Sequence, residues 1–346
     1  MYEVEAGIHR GVDMAKPARV FEEVVLGSQR HGDELIVIGG PPRSGTTLVQ
    51  NILDMHPDII GGPEFLHLPD IVKLRQQLFT SLSRGWLDVY CTDEQVDAQL
   101  RVLLESLLGR VRAGQEARII SEKTPQNVFA FSAIAELFPG ARFINVVRDP
   151  RAIVASLLQV YTRAKKKGVT VYPDYTTNTS AAIRYTRKCF NAGFAASHRF
   201  PDRIYTLSYE NLVCHPETET KNLCNFLGIE WQTAMLRPST KQHLGEKPIT
   251  AKSGEIWYDK KDYYRDPDLT SLEKWKDTLS VVQQAMVTRA FKDSADLIRL
   301  GYNLKIKEFT WKARASASLV ELGGKGVRRL RPLFHTRKSS DIRLKI

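Results

Sequence analysis

The sequence predicts a three-layer α/β/α domain built on a parallel sheet. Three observations carry this reading. Short apolar runs rich in β-branched residues recur at 35–38, 118–120, 143–147 and 204–207. Segments of helical period lie between them, as in βαβ units. The first run leads through Gly39-Gly40 into a loop of Gly, Ser and Thr, and that loop opens onto a helix.

The elements follow in order. Leu35-Ile36-Val37-Ile38 reads as a strand buried on both faces. Leu48, Val49, Ile52, Leu53 and Met55 fall at helical spacing, and the helix stops near His56-Pro57. Thr92-Asp93-Glu94-Gln95 is a capping box opening a helix to about residue 108. A second strand at 118–120 ends in Ser121-Glu122-Lys123-Thr124-Pro125, and a helix is expected over 127–138. The third strand, 143–147, ends in Arg148-Asp149-Pro150. Pro150 suits a first helical position, with Asp149 as its cap, for a helix over 151–161. A long helix over 180–198 precedes the fourth strand, 204–207. Helices resume near Ser271 and over 280–300.

Composition narrows the function classes. The chain has 346 residues, 42% of them hydrophobic and 26% charged, an ordinary globular balance. No apolar run approaches the roughly 18 residues of a membrane span. The start, MYEVEAGIHR, carries early acids and no apolar segment, unlike a secretory signal. The four cysteines include no C-x-x-C pair, which argues against zinc and for reduced, buried thiols in a cytoplasmic setting. Net charge is +11, but from Trp311 to Ile346 ten Lys/Arg face only Glu321 and Asp341, so the tail alone carries +8. The expected organisation is an N-terminal arm (1–33), one domain (34–304) with a lid at about 240–268, and a basic tail (305–346). The tail suggests an anionic surface or polymer, without specificity for nucleic acid.

Gly40-Pro41-Pro42-Arg43-Ser44-Gly45-Thr46-Thr47 keeps the spacing of a phosphate-binding P-loop, G-x-x-x-x-G-K-[ST], with Thr46 in place of the lysine. Backbone N–H groups at a helix N-terminus bind an anion whatever the side chains. Arg43 adds charge, and Ser44, Thr46 and Thr47 add hydroxyl donors. Such a loop suits a 5′-phosphate better than the γ-phosphate that the lysine would reach. A ligand-free glycine turn is the plainer alternative.

Pro42-Arg43-Ser44-Gly45-Thr46-Thr47-Leu48 resembles the 5′-phosphosulfate loop of sulfotransferases that use 3′-phosphoadenosine 5′-phosphosulfate (PAPS). Arg148-Asp149-Pro150-Arg151, with Ser156 eight residues after Arg148, is similar to that family's 3′-phosphate site. The resemblance implies a P-loop nucleoside triphosphate hydrolase-like fold, PAPS as donor, adenosine 3′,5′-bisphosphate (PAP) as product, and no required metal. It implies that Arg43, Ser44, Gly45, Thr46, Thr47, Arg148, Ser156 and Tyr209 hold the cofactor, with Arg265 and Ser253 as basic and hydroxyl contacts nearer the C-terminus. Lys123, in Glu122-Lys123-Thr124-Pro125, is similar to the family lysine that steadies charge on the sulfuryl. A salt bridge with Glu122 is its alternative.

The likeness is nearest to the tyrosylprotein branch. There Asp-x-His-Pro precedes a Gly-Glu-Glu run that supplies the base. Here Asp54-Met55-His56-Pro57 matches, the second Glu falls on Glu64, Pro63 replaces the first, and Leu66 replaces an arginine that helps bind acidic peptides. His67 is a second candidate base, but its leucine neighbours suggest a packed structural histidine. Glu64, Lys123 and Arg43 are therefore the expected catalytic set. The lid mixes His243, Lys247, Trp257, Tyr258, Lys260, Lys261, Tyr263, Tyr264 and Arg265, a composition that favours a carbohydrate hydroxyl as acceptor. Two other readings compete: a metal-dependent nucleotide kinase on the same fold, and a non-enzymatic binder of acidic polymer or membrane through the tail.

Overall fold

The computed structural model describes residues 34–245, 256, 257, 263 and 265–305. The N-terminal arm, the basic tail beyond Lys305 and most of the lid, Ser253 included, lie outside the described residues.

Strand β1 (Leu35–Gly39) is buried at every position. Its alternation sends Leu35 and Val37 into one core with Phe131 and Phe143. Ile36 and Ile38 enter a second core with Ile52, Leu53 and Val146. Both faces being covered, the strand reads as an unbroken apolar run. Four more strands join it: β2 (Ile59–Gly61), β3 (Ile119–Lys123), β4 (Arg142–Val147) and β5 (Ile204–Ser208). The order is β2-β3-β1-β4-β5, and every neighbouring pair is parallel. The register sets Ile38 beside both Lys123 and Ile144, and Val147 beside Ser208. β3 and β1 therefore end within one residue of each other, β4 and β5 end together two residues further on, and the chain departs from β1 to both sides. That is the switch point where open α/β sheets bind ligands.

Helix α1 (Thr46–Leu53) follows the glycine-rich loop. Below it the fold differs from expectation in several places. The strand β2 and the helix α2 (Leu68–Ser83) were not foreseen. β2 is only three residues long. In α2 only Leu68 is fully buried, while Ile71, Val72, Leu78, Phe79 and Leu82 pack half-exposed against the first core. Helix α3 (Asp93–Gly109) starts on the Thr92/Gln95 capping box, with both reciprocal bonds present. The helix expected over 127–138 is a 3-10 turn (Pro125–Phe129) followed by α4 (Phe131–Leu137). The break arises because Asn127 N–H and Ala130 N–H take carbonyls three residues back, Thr124 and Asn127. Helix α5 (Pro150–Lys166) is capped by Asp149, which accepts from Arg151 N–H at 2.7 Å. α6 (Thr179–Arg199) matches expectation closely. α7 (Tyr209–Cys214) and α8 (Pro216–Leu227) follow β5. The helix expected over 280–300 is divided. α9 (Trp275–Thr278) precedes α10 (Val281–Phe291) and α11 (Ala295–Arg299), because Ser294 caps a new start by accepting from Leu297 N–H. All four cysteines are free. Cys189 and Cys224 are buried as expected, whereas Cys91 is half-buried and Cys214 exposed.

β3 ends in polar residues that are nonetheless buried: Ser121, Glu122 and Lys123. Burial, its largest influence, pushes the Glu122 carboxyl up from the ordinary value of 4.5, against hydrogen bonds from Thr124, Phe65 and Asn127 and the charge of Lys123. Between 4.5 and that raised value the folded chain holds a proton that the unfolded chain has lost. Stability from this group therefore falls as pH rises through the window. Glu122→Gln lacks the titration. The stability of the variant relative to wild type should rise as pH increases from about 4.5 and then level off, as read by denaturant melts across pH. A flat difference would show that Glu122 titrates normally.

Candidate active site

The loop between β1 and α1 turns on unusual backbone angles. Gly40 has φ 153°, Arg43 φ 74° and Gly45 φ 106°. An added Cβ at Gly45 would lie 2.4 Å from the buried Tyr209 ring, so the position admits only glycine. Arg43 is the one described non-glycine residue with positive φ, a conformation that L side chains adopt at a cost of roughly 1–2 kcal/mol. Two bonds hold it. Its Nε donates to Ser156 Oγ at 2.9 Å, and its carbonyl accepts from Arg148 Nη1 at 3.2 Å.

Arg148 also donates through Nη2 to Ser271 O at 2.9 Å, and its guanidinium lies 4.2 Å from the Tyr209 ring centroid. The Tyr209 hydroxyl is within 2.7 Å of Ser271 Oγ. Burial is the main influence on Arg148 and lowers its pKa from the ordinary value. Tyr209 and Glu210 oppose the shift, while Arg43 and Arg265 push it further down. Three guanidiniums within mutual electrostatic reach repel one another. Arg148 Nε is buried with no hydrogen-bond partner, as is Ser44 Oγ. Clustered cations and an unmet buried donor are what a bound dianion would satisfy.

A cavity of about 350 Å³ opens here. It brings together Arg43, Gly45, Thr47, Arg148, Ser156, Tyr209 and Arg265, seven of the expected cofactor residues. Ser44 and Thr46 are not on its wall; both are buried beneath the loop. Tyr263, expected in the lid, also lines it, as do Arg163, Lys274, Trp275 and Ser271, which were not anticipated. Arg163 belongs to the last turns of α5, beyond the expected helix end, and its Nε donates to Ile256 O at 2.7 Å. Only the basic-aromatic pair Lys274-Trp275 left a sequence signal.

Glu64 and Lys123 lie outside that cavity wall, at the end of β3 beside β1. Lys123 Nζ donates to Glu64 Oε1 at 2.6 Å. Lys123 is 7% exposed and Glu64 33%, so the pair is shielded on the lysine side and open on the carboxylate side. The salt bridge considered between Lys123 and Glu122 does not form. Neighbouring strand residues face opposite ways, and Glu122 bonds Phe65 N–H, Thr124 and Asn127 instead. His67 is not packed, as its leucine neighbours had suggested. Its side chain is 69% exposed, precedes α2, and pairs with Asp70 at 3.3 Å.

Three of the described lid residues are tied to the fold. His243 Nδ1 meets Asp54 Oδ2 at 2.5 Å, Tyr263 O accepts from Asn51 Nδ2 at 3.3 Å, and Trp257 packs with Val160 and Ala164.

Residues 35–233 match the model of the Sulfotransferase family. Protein-tyrosine sulfotransferase 1 of Danio rerio is 32% identical over 279 residues, 78% of this chain and 72% of that protein. Protein-tyrosine sulfotransferase 2 of Gallus gallus is 29% identical over 264 residues, 73% of this chain and 68% of that protein. The sulfotransferase domain of the Synechococcus PCC 7002 olefin synthase is similar in fold, with a TM-score of 0.52 at 22% identity, covering 80% of this chain and 98% of that domain. With the P-loop-like switch point, these matches place the chain among enzymes that transfer sulfuryl groups: it belongs to the sulfotransferase family.

Proposed function

We propose that this protein moves a sulfuryl group from PAPS to the phenolic hydroxyl of a tyrosine side chain in a polypeptide. The observation that carries the reading is the Lys123–Glu64 pair, 2.6 Å apart at the strand end beside the anion-binding loop. PAPS, when bound, supplies a sulfuryl group on a 5′-phosphate leaving group. The residues present fit it: a backbone N–H cradle and Arg43 for the 5′-phosphate, Arg148 and Ser156 for the 3′-phosphate. Glu64 removes the acceptor's proton from its exposed side. Lys123 offers positive charge on the leaving side, a contribution typically worth about 2.7–4 kcal/mol.

The acceptor class draws on two supports. Relatives at 32% and 29% identity are named for protein tyrosine. Tyr175, within electrostatic reach of Glu64, stacks on Tyr185 at 3.9 Å between centroids and 8° between planes, and Phe129 meets Tyr185 edge-on at 6.0 Å. Burial, foremost, holds the Tyr175 phenol above its ordinary range, and the nearby Glu64 charge adds to this, while a hydrogen bond with Gln126 opposes it. An aromatic wall beside the base suits an aromatic acceptor. The expected carbohydrate acceptor rested on the lid, but His243 and Trp257 are engaged inside the fold rather than offered to a sugar. Leu66, 56% exposed, brings no cation beside the base, so acidic flanks on the peptide gain nothing at that position.

Two outcomes follow. Arg148→Ala should weaken binding of PAP tenfold or more by isothermal calorimetry, from the loss of charged hydrogen bonds worth about 1.5–3 kcal/mol. Binding of adenosine 5′-phosphate should hardly change; equal losses would remove Arg148 from the 3′-phosphate. Glu64→Gln should lower turnover of a tyrosine peptide at least a hundredfold, the usual scale for a general base, while PAP still binds. His67→Ala should lose less than tenfold. A reversal of these two effects would make His67 the base, and sulfate appearing on glycans but not on tyrosine would overturn the acceptor.

A further inference from the structure

We infer that Glu122 is a positioning residue for the base, holding the backbone of Phe65 so that Glu64 is kept against Lys123. The inference rests on the role proposed for Glu64.

Glu122 is 4% exposed, yet it is a carboxylate. Taking such a group out of water costs several kcal/mol, and an apolar side chain would fill the same place in the core. What the carboxylate does there is accept from three donors on two segments. Phe65 N–H reaches Oε1 at 3.1 Å, Thr124 Oγ1 reaches the same oxygen at 2.7 Å, and Asn127 Nδ2 bonds Oε2. Asn127 Nδ2 also donates to Ile38 O at 3.2 Å, the residue opposite Lys123 in the sheet. Gly40 N–H donates to Pro125 O at 3.0 Å. The phosphate loop and the base-bearing loop are thus bonded to one short stretch of chain, 122–127.

The geometry interlocks two dipeptides. Glu122 and Lys123 face opposite sides of β3. Glu122 takes the backbone of Phe65, and Lys123 takes the side chain of Glu64. The start of the same loop is fixed separately, because Gln50 Nε2 donates to Gly62 O and to Ser121 O, both at 3.1 Å. Four residues, 62–65, are therefore held at both ends against one strand. Without Glu122 the second anchor is lost, and the carboxylate of Glu64 swings on Gly61-Gly62-Pro63. A misplacement of about 1 Å at a reacting group costs on the order of 10²-fold in rate.

The test uses the full chain. In wild type, the Phe65 amide should exchange with deuterium as slowly as the amides of β3; fast exchange there overturns the inference whatever any variant does. Glu122→Met fills the same volume without an oxygen. It should speed exchange across residues 62–66 at least tenfold, leave exchange across 40–45 and the PAP dissociation constant within twofold, and lower kcat for a tyrosine peptide at least tenfold. Glu122→Gln keeps an oxygen for Phe65 N–H and should restore kcat to within fivefold of wild type. In a Glu64→Gln background, Glu122→Met should cost less than threefold more. Equal cost in both backgrounds would show that Glu122 does not act through Glu64. If instead Glu64→Gln alone keeps full turnover, the proposed base is wrong, while slow Phe65 exchange still reports the clamp.

Discussion

The parallel register of β3, β1 and β4 is the constraint on which everything else depends. Because Ile38 is level with Lys123 on one side and Ile144 on the other, β3 and β1 end within a residue of each other and β4 runs three residues past that level, all at the same edge of the sheet. The loops that leave them have no choice but to meet. The glycine-rich loop leaves β1, the lysine closes β3, and Arg148 follows β4 directly. None of these residues is near another in sequence. A one-residue slip would send each strand's side chains to the opposite face. The register resists slipping because both faces of β1 are packed: Val37 and Ile38 are each fully buried, in different cores.

On that platform, two segments that look independent in sequence form one unit. Arg43 occupies a left-handed conformation that glycine would hold at no steric cost. The position keeps an arginine, and Arg148 and Ser156 hold it in place through its carbonyl and its Nε. The turn of the phosphate loop and the residues that follow β4 are thus in direct contact. The same logic applies to Gly45, whose missing Cβ admits the Tyr209 ring, which in turn lies under Arg148. Glycine, tyrosine and arginine are stacked in a column, each fixed by the size of the next.

Legibility in the sequence followed burial. β1, β4 and β5 were readable because their apolar runs are continuous, and α1, α3, α5 and α6 because they carry caps or a strong period. β2 was not readable: three residues, Ile59-Ile60-Gly61, give no period at all. α2 hid because its apolar stripe is half-exposed, although Ile71, Leu78 and Leu82 do fall on one helical face. In the site, motif residues were legible because each departs from what packing alone would choose. A buried Glu122, by contrast, carries no signal. Its neighbour Lys123 suggested a surface pair, and only the alternation of the strand shows that the two side chains never meet. Arg163, Lys274 and Trp275 reach the cavity by tertiary placement, from a helix end and a connection that look solvated in sequence.

Thr46 in place of a lysine then has a structural account. Thr46 is buried at the start of α1 and does not line the cavity. The charge has moved elsewhere. Arg43 sits within the loop, Arg148 and Arg265 close one side, and Lys123 stands one strand over, tied to a carboxylate. A loop lysine follows a terminal phosphate, whereas Lys123, at the end of the neighbouring strand, is held beside the Glu64 carboxylate. In the function proposed above, positive charge at the end of β3 rather than at position 46 suits the same backbone cradle to passing on a single group rather than holding a polyphosphate. Lys123 can serve that end only if Glu64 stays beside it. The chemistry of the site is therefore fixed as much by the backbone of residues 62–65 as by the side chains that touch substrate.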